Sequence, residues 1–468
     1  MRDKLLPNMD AAFTEAGIAD GMTLSFHHHL RNGDFVLNAV VETAAKRGIK
    51  GLTLATSSVF PIHEPLIEHI KNGVVTCIDT DYMVGSVARF ISEGNLPNPV
   101  MFRSHGGRPR AIREGSLPID VAFVGAPTVD PLGNISGWYG KSACGALGYA
   151  VPDAECAKTV VAVTDNLLKE PLEDIAIPHD RVSHIVCMES IGNPSGIVSG
   201  STAMTRDPVA HAIARKAQAA ILASGLLRNG FNFQTGAGGA SLATAQYLRE
   251  DMRRLGLRGG FLLGGITKYL VDMLEEGLFE RIYDVQCFDL AAVDSIRRNK
   301  THQEISADTY ANPSRRGCCV DALDVVLLGA SEIDINFNVN VHTNSNGIII
   351  GGSGGHNDAA AGAKMTIIVA PLIRARLPIV VERCTTITTP GKTVDVLVTE
   401  RGIAVNPARP ELAERFRDAG LAVYPIEQLR AMALELTGIP KKIVYTDKVV
   451  GTVEYRDGTI LDSIYAPA

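Results

Sequence analysis

Residues Asp120–Asp130 read DVAFVGAPTVD, and Asp324–Asp334, 204 positions later, read DVVLLGASEID. Each is an apolar run that ends on glycine and a turn, the pattern of a strand buried on both faces of a parallel sheet. The likeness extends outward in both directions. RGIKGLTL at Arg47–Leu54 is echoed by LGLRGGFL at Leu255–Leu262, Asn134 by Asn338, and AKTVVAVT from Ala157 by AKMTIIVA from Ala363. A repeat of about 200 residues is too long for a solenoid, whose units run roughly 20–50 residues. It predicts two tandem copies of one fold. Stretches of helical period, such as Phe35–Arg47 and Ala243–Leu255, alternate with the strands, so the expected class is α/β: two duplicated open domains with mostly parallel sheets. Asp207 followed by Pro208 supplies an N-cap acid and a first-turn proline ahead of VAHAIARKAQAAILASGLL. The boundary is placed there, giving domains 1–207 and 208–468, with the cleft between them as the default ligand site.

The 468 residues are 46% apolar and 21% charged, and 45 Lys+Arg against 51 Asp+Glu leave a net charge of −6. Such a chain buries enough apolar surface to fold throughout, and it offers no sequence-wide basic field for a nucleic acid. MRDKLLPNMDAAFTEAG has no signal-peptide core, and no run of about 18 apolar residues is present to span a membrane. The eight cysteines are scattered without a C-x-x-C pair, which argues against a disulfide framework or a zinc ribbon. The expectation is a cytoplasmic protein with reduced thiols and neither a nucleic-acid nor a membrane partner.

Glycine, 45 of 468 residues, exceeds the usual ~7%. One cluster is QTGAGGASLATA at Gln234–Ala245; another is GGSGGHNDAAAGAK at Gly351–Lys364. Each lies between an apolar run and a predicted helix. Tight strand-to-helix turns and cradles for an anion or oxyanion both suit that placement. Neither cluster is a dinucleotide fingerprint or a P-loop. SHGGRPRAIREG at Ser104–Gly115 gathers Arg108, Arg110 and Arg113 beside His105, with Arg103 just before; this suits a carboxylate or phosphate, or a solvated basic face. His27–His29 tempt a metal assignment, but side chains of a strand alternate in direction and no acidic partner motif is near, so no metal is expected.

At SFHHHLRNGD (Ser25–Asp34), SHGGR, DVAFVGAPTVDPLGN, QTGAGGASLA, LGGIT (Leu263–Thr267), FNVNV (Phe337–Val341), GGSGGHND and GIAVNPARPEL (Gly402–Leu412), the chain resembles the acyl-CoA transferase superfamily. Within it, the likeness is to the citrate lyase α-subunit family, and it covers essentially the whole chain from about residue 10. It also implies an amino-terminal extension that this sequence lacks, so Met1 reads as a shorter start.

The resemblance implies a citrate CoA-transferase: acetyl is exchanged for citryl on an acyl-carrier thioester, and acetate is released. It implies lyase (β) and acyl-carrier (γ) partner subunits, a homo-oligomer, no tightly bound cofactor, and a CoA or dephospho-CoA-type thioester carried by the partner or substrate. Many relatives use a glutamyl thioester, and Gly264 stands where that glutamate would be. Direct attack by citrate through a mixed anhydride is therefore expected. Backbone groups of Gly354 and Gly355, with His356, are assigned to catalysis. The thioester is assigned to Gly236, Ala237, Gly238, Gly239, Gly264, Gly351, Gly352 and Asn338, and citrate to His27, His28, Arg31 and Arg108. The nearest rival is another acyl-CoA:carboxylate transferase or a thioester hydrolase; a ligand sensor and a docking scaffold are more distant.

Overall fold

The computed structural model describes residues 4–198, 205–236 and 238–468, so Ala237 of the expected thioester loop lies outside the described residues. Two sheets organise the chain. The first is built from β1 (Leu5–Leu6), β2 (Thr23–Phe26), β3 (Leu52–Thr56), β4 (Val75–Thr80), β5 (Val100–Phe102), β6 (Val121–Ala126), β7 (Thr159–Thr164) and β8 (His184–Cys187). The second holds β9 (Phe233–Thr235), β10 (Gly259–Ile266), β11 (Phe279–Cys287), β12 (His302–Glu304), β13 (Val325–Leu328), β14 (Met365–Val369), β15 (Val396–Val398) and β16 (Ile403–Val405). A last hairpin comprises β17 (Tyr445–Glu454) and β18 (Ile460–Pro467).

The strand order of the first sheet is 1-8-7-6-2-3-4-5-17-18, and that of the second is 12-11-10-9-13-14-15-16. Strands 8-7-6-2-3-4-5 and 15-14-13-9-10-11-12 therefore run in the same relative order, as a tandem copy of one unit would. The matching runs DVAFVGAP and DVVLLGAS become β6 and β13, which pair in parallel with β2 and β9 respectively. Pairing is parallel throughout both sheets except at β15–β16 and β17–β18. All residues of β13 and β14 are buried, and apart from Thr366 they are apolar.

The helix start expected at Asp207 is present. Asp207 accepts from the Val209 amide, Pro208 opens a helix over Pro208–Ser224, and Gly225 ends it in the left-handed region at φ 76°. The hairpin departs from the 208–468 assignment, because β17 pairs in parallel with β5 of the first sheet. The reason is electrostatic as well as geometric: Glu454 lies buried between Arg103 (2.5 Å) and Arg110 (2.6 Å), and Arg103 also holds Asp79 at 2.8 Å.

A second tie crosses between the sheets. Glu304, on β12, accepts from the Trp138 indole and the Leu147 amide of the first half. Burial lifts its carboxyl to about 7 although both donors favour the anion. Between the ordinary carboxylate value and about 7, the folded protein thus binds the proton that the unfolded chain does not. This contribution to stability is complete below the unfolded value and lost as pH rises through about 7. Urea unfolding at pH 5 and pH 8 should show wild type gaining on Glu304→Gln as pH falls, at no more than about 1.4 kcal/mol per unit.

Candidate active site

In parallel sheets, ligands gather beyond the carboxyl ends of the strands. Here the ends of both sheets converge on one cavity of about 300 Å³. His28 follows β2, Ser58 follows β3, Tyr82 follows β4 and His105 follows β5; Gly236, Gly264–Gly265, Gln286 and Gly329 come from β9, β10, β11 and β13. The GGSGG loop closes the floor, and Tyr149 and Tyr310 form walls.

The GGSGG loop and the SHGG turn are docked on one another. Ser104 and Gly354 form a parallel bridge, with the His105 amide donating to the Gly354 carbonyl at 2.8 Å. Asp358, in the first turn of the His356–Gly362 helix, accepts from Ser104 Oγ and the Gly106 amide, both at 2.9 Å. Glycine is required at 106, where a Cβ would collide with the Ala311 carbonyl, and Gly354 adopts φ 50°. Burial raises the Asp358 carboxyl to about 6, with Arg456 and these donors opposing.

Among the described lining residues there is no carboxylate and no thiol, and Arg31 is the one arginine. Arg31 itself sits at φ 51°, its guanidinium 4.6 Å from the Phe288 ring and 5.6 Å from that of Phe60. Its Nη1 is buried without a hydrogen-bond partner. Burial pulls its pKa down, but arginine remains a cation in proteins. A half-buried cation with an unpaired Nη1 suits a carboxylate ligand. His28 lies alongside, bonded through Nδ1 to Ser57 Oγ at 2.6 Å and stacked 4.8 Å from Tyr149. Burial, then the neighbouring His105, His29 and Arg31, hold it well below the usual histidine range.

Of the assigned residues, His28, Arg31, Gly236, Gly264, Gly352, Gly354, Gly355 and His356 line the cavity. The others are placed differently. Arg108 is 1% exposed and donates to Asp153 Oδ2 (2.6 Å) and the Ala55 carbonyl (3.0 Å), while His27 Nε2 meets the same Asp153 oxygen at 3.0 Å. Burial alone would raise Asp153, but Arg108 and His27 outweigh it and hold it low. The remaining arginines of the SHGGR stretch are also matched internally, Arg113 by Glu155 and Asp308. Asn338 braces a turn through Asp334 and accepts from the Gly391 amide at 2.8 Å. Gly351 packs on the Val341 carbonyl. Gly238 and Gly239 line a neighbouring hollow of about 510 Å³ with Arg374, and Gly329 borders both spaces.

Two catalytic assignments also change. The Gly354 amide donates to the Asp81 carbonyl (3.1 Å), which leaves Gly355 as the loop's candidate oxyanion donor. His356 has both ring nitrogens engaged, with Thr389 Oγ1 at 2.7 Å and the Gly329 carbonyl at 2.9 Å, and burial lowers it to about 4. It supports the loop as a neutral ring. Gly264, at φ 106°, lies where an added Cβ would press within 3.1 Å of Gln234, so the missing side chain is built into the wall. The triple histidine falls beyond the end of β2, and its rings stack instead of alternating.

Sequence reasoning did not single out Asp81, Tyr82, Tyr149, Gln286 or Tyr310, and it quoted His105 without a role. Their common signal is position at strand ends or in connecting segments, legible only once both sheets are aligned.

The family model described as "Citrate lyase, alpha subunit (CitF)" matches residues 2–466. The chain is 50% identical over 462 residues to the citrate lyase alpha chain of Escherichia coli K12, covering 99% of this chain and 91% of that one. It is 48% identical over 461 residues to the namesake from Klebsiella pneumoniae, covering 98% and 91%. Among solved structures, a crystal structure from Streptococcus mutans, described as a candidate α subunit of citrate lyase in complex with citrate, superposes with TM-score 0.98 at 48% identity, covering 100% of this chain and 92% of that one. A malonate decarboxylase α subunit from Acinetobacter baumannii shares the fold at TM-score 0.66 and 16% identity, over 94% and 93% of the two chains. With a family model spanning nearly every residue and full-length relatives at about half identity, this chain belongs to the citrate lyase α-subunit family.

Proposed function

We propose that the cavity performs the acyl exchange of a citrate CoA-transferase: an acetyl thioester and citrate give a citryl thioester and acetate. The observation that carries this reading is the composition of the wall, an Arg31 with an unpaired Nη1 and, among the described lining residues, no carboxylate or thiol to serve as an acyl acceptor. A substrate carboxylate must then attack the thioester directly. Its oxygen adds to the acetyl carbonyl, the tetrahedral oxyanion is met by the Gly355 amide, and the carbon–sulfur bond breaks to release the sulfur and leave a mixed anhydride. The sulfur returns to the citryl carbonyl and acetate departs. Arg31 and His28 hold the tricarboxylate, and Gly236, Gly264 and Gly352 wall the thioester. Holding the two reactants together supplies up to about 7–11 kcal/mol in favourable model reactions, and an oxyanion donor about 3–4 kcal/mol.

The thioester arrives on an acyl-carrier subunit as a CoA or dephospho-CoA-type group, and a lyase subunit consumes the citryl product. We place the protein in a cytoplasmic complex with these partners and with further copies of itself. Family membership and the citrate in the Streptococcus mutans structure support this. No described helix is long and apolar enough to cross a membrane.

Single-turnover exchange of acetyl-CoA with carboxylate-¹⁸O citrate tests the route. Direct attack delivers a citrate oxygen into the first acetate formed. Unlabelled acetate, together with hydroxylamine-trappable enzyme, would return the site to a glutamyl-thioester type.

A further inference from the structure

We propose that His105, anchored by Asp81, carries the proton that the exchange moves on and off sulfur; the inference rests on the reaction assigned above. The two leaving groups of that reaction differ. Acetate departs readily as an anion, whereas an alkyl thiolate is the conjugate base of a weak acid, with a thiol pKa near 8.5 in the case of cysteine. The single lining arginine is already claimed by citrate. An acid at the sulfur is therefore the one proton donor the chemistry needs.

Three histidines line the cavity: His28, His105 and His356. His356 has both ring nitrogens occupied, and His28 is bonded to Ser57 and held neutral. His105 alone carries a carboxylate on Nδ1, with Asp81 Oδ2 at 2.9 Å. Asp81 is fully buried, and its other oxygen has no partner, so it serves His105 rather than a salt-bridge network. The imidazole is 4.4 Å from the Tyr149 ring, centroid to centroid, and its side chain keeps 13% exposure. Nε2 faces Gly354, 3.3 Å from where a Cβ would stand, on the loop that offers the oxyanion amide. The charged and titratable groups around it are Asp81, His28, Tyr149 and Asp358.

The step balances. Citrate oxygen bonds to the acetyl carbon, the carbon–sulfur bond breaks, and its electron pair takes the proton from Nε2, leaving neutral imidazole and thiol. In the return step the sulfur bonds to the citryl carbon, its proton passes back to Nε2, and acetate leaves with the anhydride's electron pair. No proton is gained or lost over the cycle.

Acetyl thioesters of N-acetylcysteamine and of 4-nitrothiophenol separate this role from a structural one, because the aryl thiolate leaves without an acid. His105→Gln should lose about 10²- to 10³-fold with the alkyl ester, within the range of general acids, and under about fivefold with the aryl ester. Asp81→Asn should show the same difference at smaller size. Citrate binding by calorimetry is expected to persist in both variants. In wild type, the rate across a series of thioesters should depend only weakly on thiol pKa. Equal losses on both esters, or a steep wild-type dependence, would overturn the assignment; the second holds even if a variant fails to fold. Thiol release that does not require citrate would instead strike the exchange reading itself.

Discussion

Replacing Arg31 with glycine should weaken citrate binding by about 30- to 150-fold while the unliganded protein melts no lower than wild type. The first half of that expectation follows from a buried Nη1 without a partner, in a cavity where no other arginine and no carboxylate stands among the described lining residues. A charge-assisted hydrogen bond contributes about 2–3 kcal/mol where solvent is excluded. The second half follows from the backbone. Arg31 lies at φ 51°, a region that disfavours a non-glycine residue by roughly 1–2 kcal/mol. Glycine relieves this and removes an unpaired cation, against the loss of packing on Phe60 and Phe288. Strain kept at a ligand-facing residue is stability exchanged for binding. Calorimetric titration with citrate and a thermal melt check both halves. A lower melting temperature with citrate affinity intact would remove Arg31 from the site.

Much of this fold could be read before any coordinates. Runs such as DVAFVGAP and AKTVVAVT announce strands buried on both faces, and their echoes about 200 residues on correspond to a strand order common to the two sheets. We propose on this basis that the chain is one unit written twice. The hairpin of residues 445–467 was not legible, because what draws it to β5 is a buried charge, Glu454, whose partners Arg103 and Arg110 lie some 350 positions earlier. The site divides along the same line. Glycine loops are local signals, and six assigned glycines reach the cavity wall or its neighbour in the expected loops. Charge pairing is non-local. Arg108 and Arg31 look equally suited to a carboxylate in the sequence, and only the fold shows that one is already matched by Asp153 and the other by nothing.

That contrast yields the second large expectation, in stability rather than binding. Arg108→Met should cost about 3–5 kcal/mol at neutral pH, since among the described residues it leaves the fully buried Asp153 with His27 as its remaining ion-pair partner. Arg108 and His27 hold the Asp153 carboxyl low against its burial. In wild type this stabilisation is present above the ordinary carboxylate range and lost as pH falls through the depressed folded value. Without Arg108, burial takes over and Asp153 binds its proton in the folded state at higher pH. The deficit of the variant should accordingly shrink on acidification. Adding Asp153→Leu removes the stranded charge, and the double variant should recover most of the loss, the behaviour of a buried pair replaced by apolar groups. It should also bind citrate as wild type does, because neither residue lines the cavity. Urea unfolding across pH measures the first effect and citrate calorimetry on the double variant the second. A stable double variant that has lost citrate would make Arg108 a ligand after all, as its place beside SHGG in the sequence suggests.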